Sequence, residues 1–262
     1  VLPNAPALLY PGKNNTLLKQ KRDGLLAKLY REGVMSEDSY HLALAEPLPE
    51  KKFDIPTVAP HLLAKAYRER KGKVCPTYID GRLQKKINEI VERHTALLSQ
   101  NYIYNMAVLV AHVPTGEVRA YVGNSAPRKG SRGNDVDIVQ AVRSSGSILK
   151  PALYACMLQS GFILPGTLVP DIPSRFGSYS PSNFNRDFKG VVPARQALAQ
   201  SLNIPFVRLL KDYSYARFYD DLKQLGIRSL NRDADHYGLS LILGGAETSL
   251  WDICNLYGGM SA

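Results

Sequence analysis

This sequence has few cysteines and no long apolar run. The first observation argues against a cysteine-based metal site, and the second argues against a membrane-spanning helix within the chain. The chain has 262 residues but only three cysteines, Cys75, Cys156 and Cys254. They form no Cys-x-x-Cys pair and lie in no Cys/His pattern, which argues against a metal site while leaving the redox compartment open. Cys156 and Cys254 lie in apolar helical segments, so we expect buried, unreactive thiols.

No segment approaches the ~20 apolar residues that a membrane-spanning helix needs, so we expect no span within this chain. The first residues, VLPNAPALLYPG, contain no basic leader, no long apolar run and no cleavage site. The chain therefore begins as if in mid-protein. It ends as abruptly, at YGGMSA.

The charge is the most unusual bulk property of an otherwise ordinary globular composition. The formal net charge is +10 and the pI is about 9.4, while 45% of the residues are hydrophobic and 21% are charged. Such a charge favours an anionic partner, which is a nucleic acid, a lipid headgroup or a negatively charged substrate. Apart from one cluster at 65–73, the basic residues are spread out. No zinc-finger spacing or RNA-binding aromatic signature is present, so we expect no nucleic acid.

The order of predicted elements indicates an α+β fold, with helices, then a strand pair, then a second helical region. Helical periodicity or capping predicts helices at 16–31, 36–46, 61–71, 82–99, 147–158, 192–203, 206–225 and 247–259. Strands are predicted at 74–80, 106–113 and 118–123, and the almost continuously apolar segment 106–113 is expected to be buried on both faces. Residues 1–14, 47–60, 124–133 and 164–190 are expected to be loops or linkers.

The segment RSSGSILKPALY at 143–154 contains the first candidate for chemistry. Gly146 permits a tight turn, and Pro151 fits only the first turn of a helix, so we expect the helix to begin at or just before Ser147. Lys150 then lies on the same face, one turn on. A serine hydroxyl needs a neighbouring base to become a nucleophile, and a lysine with a lowered pKa can be that base. The alternative is a glycine-initiated helix with polar surface residues, since Ser-x-x-Lys occurs about once by chance in such a chain.

A second polar pair lies in the segment QSLNIP at 200–205. Pro205 disfavours a helical conformation at Ile204, so we expect Ser201 and Asn203 to lie on a turn and to face one cleft. A serine can relay a proton to a leaving amine, and an asparagine can hold both a lysine and a substrate amide. The alternative is an ordinary helix C-cap with polar turn residues.

Taken together, Ser147-x-x-Lys150 and Ser201-x-Asn203 resemble the motifs of penicillin-recognising serine acyltransferases. Longer segments are similar to the transpeptidase domain of penicillin-binding proteins: MAVLVAHVPTGEVRAYVGN, DIVQAVRSSGSILKPALYACML, SNFNRDFKGVVPARQALAQSLNIPFVRLL and LILGGAETSLWDICNLYGGMSA. LLKQKRDGLLAKLYREGVMSEDSYHLALAEPLP resembles the last helices of a family-51 glycosyltransferase domain, and CPTYIDGRLQKKINEIVERH resembles the connection between the two domains. The whole is similar to class A, bifunctional penicillin-binding proteins of the 1C type.

The resemblance implies a domain layout: a glycosyltransferase tail at 1–50, a linker region at 51–104, and the first half of a serine β-lactamase-like transpeptidase domain at 105–262. It also implies the roles of the motif residues. Ser147 would attack the D-Ala-D-Ala carbonyl of a peptidoglycan stem peptide, and Lys150 would accept its proton. The Ser147 N–H would form half of the oxyanion hole. Ser201 and Asn203 would assist proton transfer and hold the substrate, and a β-lactam would acylate Ser147.

The partners implied are stem peptides, lipid II, β-lactams, an anionic membrane surface and other cell-wall synthesis proteins. The location implied is the periplasmic face of the inner membrane in a bacterial cell envelope, with an anchor upstream of this chain. No cofactor is expected for the transpeptidase. A divalent metal is compatible only with the glycosyltransferase site, which this chain lacks.

Two departures from the family pattern lead us to expect an internal fragment. The third family motif, Lys-Thr-Gly or Lys-Ser-Gly, does not follow the second motif before Ala262, and KGK at 71–73 precedes the nucleophile. The catalytic glutamates of the glycosyltransferase are also absent. We therefore expect no glycosyltransferase activity and little or no transpeptidase activity from this chain alone. Rival interpretations are a class A β-lactamase, a penicillin sensor, a nucleic-acid-binding protein and a catalytically silent cell-wall scaffold.

Overall fold

The computed structural model describes residues 8–51 and 57–261, so the predicted loop at 1–14 and linker at 47–60 lie partly outside the described residues. The chain forms two compact units, one up to Thr57 and one from Val58 onward. The predicted division at 1–50, 51–104 and 105–262 rests on the resemblance and stays a prediction. In the described part of the chain, no helix is both long enough and apolar enough to cross a membrane.

The first unit is the expected helical hairpin, formed by α1 (Asn15–Arg31) and α2 (Glu37–Ala45). The Ser36 hydroxyl caps α2 by accepting a hydrogen bond from the Ser39 N–H. The rings of Tyr30 and Tyr40 stack with centroids 4.9 Å apart, which joins the two helices.

The second unit begins with α3 (Pro60–Arg70) and α4 (Gly81–Leu98), followed by the hairpin of β1 (Val108–His112) and β2 (Glu117–Val122). The two strands are antiparallel, with Val108 opposite Val122, and an irregularity in register lies between Val110 and Ala111. The strand–turn–strand prediction is therefore confirmed.

Two details of the strand predictions are wrong. Residues 74–80 form no strand, because the segment attaches to β2 through one backbone bond, from the Asp80 N–H to the Arg119 carbonyl. Asp80 instead caps α4 by accepting from the Arg82 and Leu83 N–H groups. Strand β1 is only partly buried, because it lines an open apolar groove rather than lying between two packed layers.

The remaining elements of the second unit surround one apolar core. They are β3 (Arg143–Ser144), α5 (Lys150–Gln159), β4 (Leu168–Asp171), β5 (Gly190–Pro193), α6 (Ala194–Ala199), α7 (Asn203–Tyr213), α8 (Tyr215–Gln224), α9 (Ala234–Tyr237), β6 (Glu247–Thr248) and α10 (Leu250–Ser261). Strand β3 pairs with β6, and β4 pairs with β5, both antiparallel. Helix α5 contributes Leu153 and Met157 to this core, its N-cap residue Leu149 adds a third side chain, and α7 contributes Phe206 and Leu210. The mixed helix-and-strand architecture agrees with the predicted α+β class.

Three further boundary predictions are corrected by the backbone. The segment 164–190 is not wholly irregular, since it contains β4 and the start of β5. The helix predicted over 206–225 is two helices, because Ser214 has a φ of 78° and interrupts the chain between α7 and α8. Ile204 is helical, because Pro205 lies in the first turn of α7, where a missing N–H costs nothing.

Cys156 and Cys254 are half-buried rather than fully buried. Burial raises the pKa of both thiols, and the nearby Asp221 carboxylate adds to the rise at Cys156. Both residues are therefore poor nucleophiles, as expected from their apolar surroundings.

Candidate active site

Ser147 lies in a turn that leads into α5, not inside the helix as predicted. Gly146, at φ 54°, enters the turn, and the helix proper begins at Lys150. The Lys150 N–H donates to the Ser147 carbonyl at 3.1 Å, so the serine closes the turn ahead of the first helical residue. Ser147 is half-buried, and its backbone N–H has no acceptor among the described residues. This free N–H is where an oxyanion could be bound.

The segment before Ser147 is fixed by the short β3–β6 pair and by Gly244. The Ser144 hydroxyl donates to the Gly244 carbonyl at 2.8 Å, and the Ser145 N–H donates to the Ala246 carbonyl at 2.9 Å. Gly244 has a φ of 101°, and a Cβ there would lie 2.8 Å from the Gly146 nitrogen. Only glycine therefore fits against this turn.

Lys150 is a buried lysine whose amine is surrounded by oxygen atoms of the second motif. The residue is 1% exposed, and its Nζ donates to the Ser201 carbonyl at 2.8 Å and to the Asn203 Oδ1 at 2.8 Å. The Ser201 hydroxyl lies 3.2 Å from the same nitrogen. The two motifs, 51 and 53 residues apart in sequence, are thus in direct contact.

Burial lowers the pKa of the Lys150 amine to about 8. The cause is desolvation of the charged form, because the residue is enclosed by the core and no carboxylate pairs with it in the described part of the chain. The ring of Phe206, with its centroid 5.7 Å from Nζ, forms part of this enclosure. A substantial fraction of the amine is therefore neutral near pH 8 and can accept a proton.

Ser201 and Asn203 reach the lysine from the junction between α6 and α7. Ser201 has a φ of 51°, a left-handed conformation that turns the chain sharply between the two helices. Asn203 is the first residue of α7, and its side-chain nitrogen donates to the Ser182 carbonyl at 2.9 Å. Its Oδ1 is left to accept from Lys150. The prediction of a turn holds for Ser201, whereas Asn203 begins the next helix.

The site contains residues that the sequence motifs do not reveal. Asn183 accepts hydrogen bonds from the Asn203 and Ile204 N–H groups and donates to the buried Asp171 carboxylate. Asn183 and Asp171 come from a loop and a strand that have no recognisable motif, so only the folded structure connects them to Lys150. Within the described residues, no group of three or more histidine, cysteine or acidic side chains could hold a metal ion.

The arrangement can activate a serine nucleophile by general base catalysis. Lys150 supplies a buried amine of lowered pKa, and Ser201 supplies a hydroxyl within proton-transfer distance of that amine. The hydrogen bonds of Lys150 go to Ser201 and Asn203 rather than to the Ser147 hydroxyl. The Ser147 hydroxyl therefore makes no hydrogen bond to the Lys150 amine in this structure, although the two residues are only three positions apart in sequence. Catalytic hydrogen bonds of this kind often tighten only when substrate is bound.

Comparison with known proteins identifies the family to which this fold and this site belong. The profile of the family described as "Penicillin binding protein transpeptidase domain" matches residues 106–258. This match covers more than half of the chain and includes all four motif residues. The chain belongs to the penicillin-binding protein transpeptidase family.

The chain is also similar to individual penicillin-binding proteins over almost its whole length. It is 32% identical to penicillin-binding protein 1C of Escherichia coli over 98% of this chain and 33% of the relative. It is 26% identical to penicillin-binding protein 1B of Vibrio cholerae over 96% of this chain and 34% of that protein. The chain thus spans about a third of the length of these curated relatives.

A solved structure supports the fold independently of close sequence similarity. The crystal structure of penicillin-binding protein 1A from Haemophilus influenzae superimposes with a TM-score of 0.68 at 16% identity. The superposition covers 98% of this chain and 54% of that one. At this identity the likeness supports the fold alone.

Proposed function

We propose that the protein containing this chain is a D,D-transpeptidase that cross-links peptidoglycan stem peptides through an acyl-serine intermediate. The observation that carries the proposal is the contact between Lys150 and the Ser201–Asn203 pair, which places a lysine of lowered pKa beside a second serine and one turn from Ser147. Membership of the transpeptidase family supports the same reaction.

In the proposed acylation, Ser147 Oγ attacks the carbonyl carbon between the two D-alanines while its proton passes to the neutral amine of Lys150. The tetrahedral oxyanion is held by the Ser147 N–H, which has no other acceptor among the described residues. When the peptide bond breaks, the leaving D-alanine nitrogen receives a proton from the Ser201 hydroxyl, which Lys150 replenishes. An amine of a neighbouring stem then attacks the acyl-serine, and Ser147 regains its proton.

The wider functional setting is proposed on the basis of the same resemblance. The full protein polymerises glycan strands from lipid II and cross-links them at the periplasmic face of the inner membrane, beside other cell-wall synthesis proteins. The net charge of +10 that this chain carries suits an anionic substrate and surface. Transpeptidation needs no cofactor, because the chain itself supplies the nucleophile and the base. β-Lactams, which are cyclic amides with a reactive carbonyl, would acylate Ser147.

The test uses a longer chain that continues past Ala262 through the third-motif strand implied by the resemblance. This longer chain is incubated with a D-Ala-D-Ala stem peptide and a D-amino acid acceptor, and the exchanged product is measured by mass spectrometry. We expect exchange that is lost in Ser147→Ala and retained in the matched control Ser160→Ala, an exposed serine at the far end of α5 whose hydroxyl bonds only to carbonyls of its own helix. Hydrolysis of penicillin with no exchange would instead support a β-lactamase. A folded longer chain that neither exchanges nor reacts with penicillin would support the silent scaffold.

A further inference from the structure

A buried pair of residues, Asn183 and Asp171, lies against the start of α7, directly behind the second motif. Asn183 is 4% exposed and Asp171 is 0% exposed. The Asn183 Nδ2 donates to the Asp171 Oδ1 at 2.7 Å and to the Asp187 carbonyl at 2.9 Å. The Asp171 Oδ2 accepts from the Lys189 N–H at 3.0 Å. The pair therefore fastens the loop at 182–189 to strand β4.

The Asn183 side chain also caps helix α7 from outside the helix. The residue at the N-cap position is Leu202, which has no side-chain acceptor. The Asn183 Oδ1 accepts from the Asn203 N–H at 2.9 Å and lies 3.3 Å from the Ile204 nitrogen. It satisfies N–H groups that every helix leaves unpaired in its first turn.

These bonds continue to the catalytic lysine. Asn203 is held at its backbone by Asn183 and at its Nδ2 by the neighbouring Ser182 carbonyl, which leaves its Oδ1 aimed at the Lys150 amine 2.8 Å away. Apart from the bond to Lys150, the hydrogen bonds that Asn203 makes outside its own helix, within the described residues, are to two consecutive residues of one loop, Ser182 and Asn183. The Asp171 carboxylate holds that loop in place by accepting from the Asn183 side chain and from the Lys189 N–H.

We propose that Asn183, held by Asp171, is a positioning residue that sets Asn203 and through it the Lys150 base for acylation of Ser147. This inference deepens the function proposed above and rests on it. The inference depends on the direction of the hydrogen bonds that Asn183 makes. Asn183 must accept on one side, from α7, and donate on the other, to a carboxylate, and its amide supplies a carbonyl oxygen for the first and an NH₂ group for the second.

The test compares two single substitutions of Asn183 with a double variant in which the side chains of residues 183 and 171 are exchanged. In Asn183→Ala the first-turn N–H groups of α7 lose their acceptor, and we expect acylation of the longer chain by a fluorescent penicillin to slow by about tenfold or more, because small misplacements of catalytic groups are costly. In Asn183→Asp two carboxylates face each other, and we expect an equal or larger loss. In the double variant N183D/D171N the introduced carboxylate can accept from α7 while the introduced amide donates to it. Most of the rate should return, although the bond to the Asp187 carbonyl is lost.

The matched control is Asn124→Ala. Asn124 is 6% exposed and also fastens a loop through side-chain bonds to backbone, but it lies beside the β1–β2 hairpin. It should acylate within about twofold of the unsubstituted chain. Urea unfolding followed by circular dichroism shows whether each variant of the longer chain is folded.

Hydrogen exchange separates this inference from the function on which it rests. In Asn183→Ala we expect the amides of Asn203 and Ile204 to exchange faster while those of α5 do not change. If the unsubstituted longer chain were not acylated, the proposed function would fail, and faster exchange at these two amides would still support the positioning contact. The inference is overturned if Asn183→Ala is folded and acylates as fast as Asn124→Ala, or if N183D/D171N acylates no faster than Asn183→Asp.

Discussion

The amine of Lys150 lies 2.8 Å from the side-chain oxygen of Asn203, although the two residues are 53 positions apart. This contact joins the turn that carries Ser147 to the start of α7, and it gives a buried cation a neutral acceptor in place of a carboxylate. A carboxylate would stabilise the ammonium form and raise the pKa of Lys150, so less of the free amine would be available as a base. A neutral amide orients the lysine and leaves its pKa low.

The pH dependence of acylation follows from the lowered pKa of Lys150. The free amine is the reactive form, so the rate should increase as the pH rises through about 8. Between pH 7 and pH 9 the increase should be about tenfold, since the neutral fraction changes by that factor. The measurement is the second-order rate of penicillin acylation against pH in the longer chain. Lys150→Arg, which stays charged, should be inactive throughout, and a rate independent of pH would contradict the role of Lys150.

Replacing the neutral acceptor by an acid should move this pH profile. In Asn203→Asp a carboxylate faces the Lys150 amine and favours the ammonium, which raises the pKa of the lysine. The midpoint of the rate profile should therefore move above 8, by about 1 unit or more. Asn105→Asp, on the hairpin side of the unit, adds the same charge and should leave the midpoint in place. An unmoved midpoint in Asn203→Asp would show that Asn203 does not govern the base.

The turn before Ser147 should be intolerant of any side chain at Gly244. A Cβ there would lie 2.6 Å from the Ser144 hydroxyl and 2.8 Å from the Gly146 nitrogen, on a backbone whose φ of 101° already disfavours alanine. We expect Gly244→Ala to slow acylation by about tenfold or more by shifting Ser147. Gly166→Ala is the control, because no atom lies within 4 Å of the added carbon. Equal acylation rates for the two variants would show that Gly244 does not position Ser147.

A side chain of α4 satisfies the backbone hydrogen-bonding groups of one residue in strand β2. Gln84 is 0% exposed, accepts from the Tyr121 N–H at 2.8 Å and donates to the Tyr121 carbonyl at 3.1 Å. Gln84→Ala leaves both groups without this partner and should lower the free energy of unfolding by about 2–4 kcal/mol. Urea unfolding followed by Trp251 fluorescence measures the change. Lys85→Ala, exposed on the same helix, should differ from the parent by less than about 0.5 kcal/mol.

Local patterns in the sequence were sufficient to predict the elements that rely on local physics. The hairpin of α1 and α2 follows from helical spacing and the Ser36 cap, and β1 and β2 follow from alternation around Thr115–Gly116. The strand predicted at 74–80 failed because β-prone residues form a strand only where a partner strand is available. The break at Ser214 could not be foreseen, since a serine gives no signal in the sequence for the positive φ of 78° that it adopts.

The same division applies to the site. Lys150, Ser201 and Asn203 were predicted from two short motifs, and the structure brings them together. Asn183 and Asp171 were missed because their relation to Lys150 is made by the pairing of β4 with β5 and by a loop without periodicity. Such contacts are set by the fold, and a single sequence gives no spacing from which to infer them.

The central claim is that Ser147 is the nucleophile, and the most direct measurement is the location of a covalent penicillin adduct. The longer chain is incubated with penicillin, digested, and mapped by mass spectrometry across the peptide that contains Ser144, Ser145 and Ser147. The account predicts one adduct per chain, on Ser147, absent from Lys150→Arg. An adduct on another serine, or none on a folded longer chain, would contradict it.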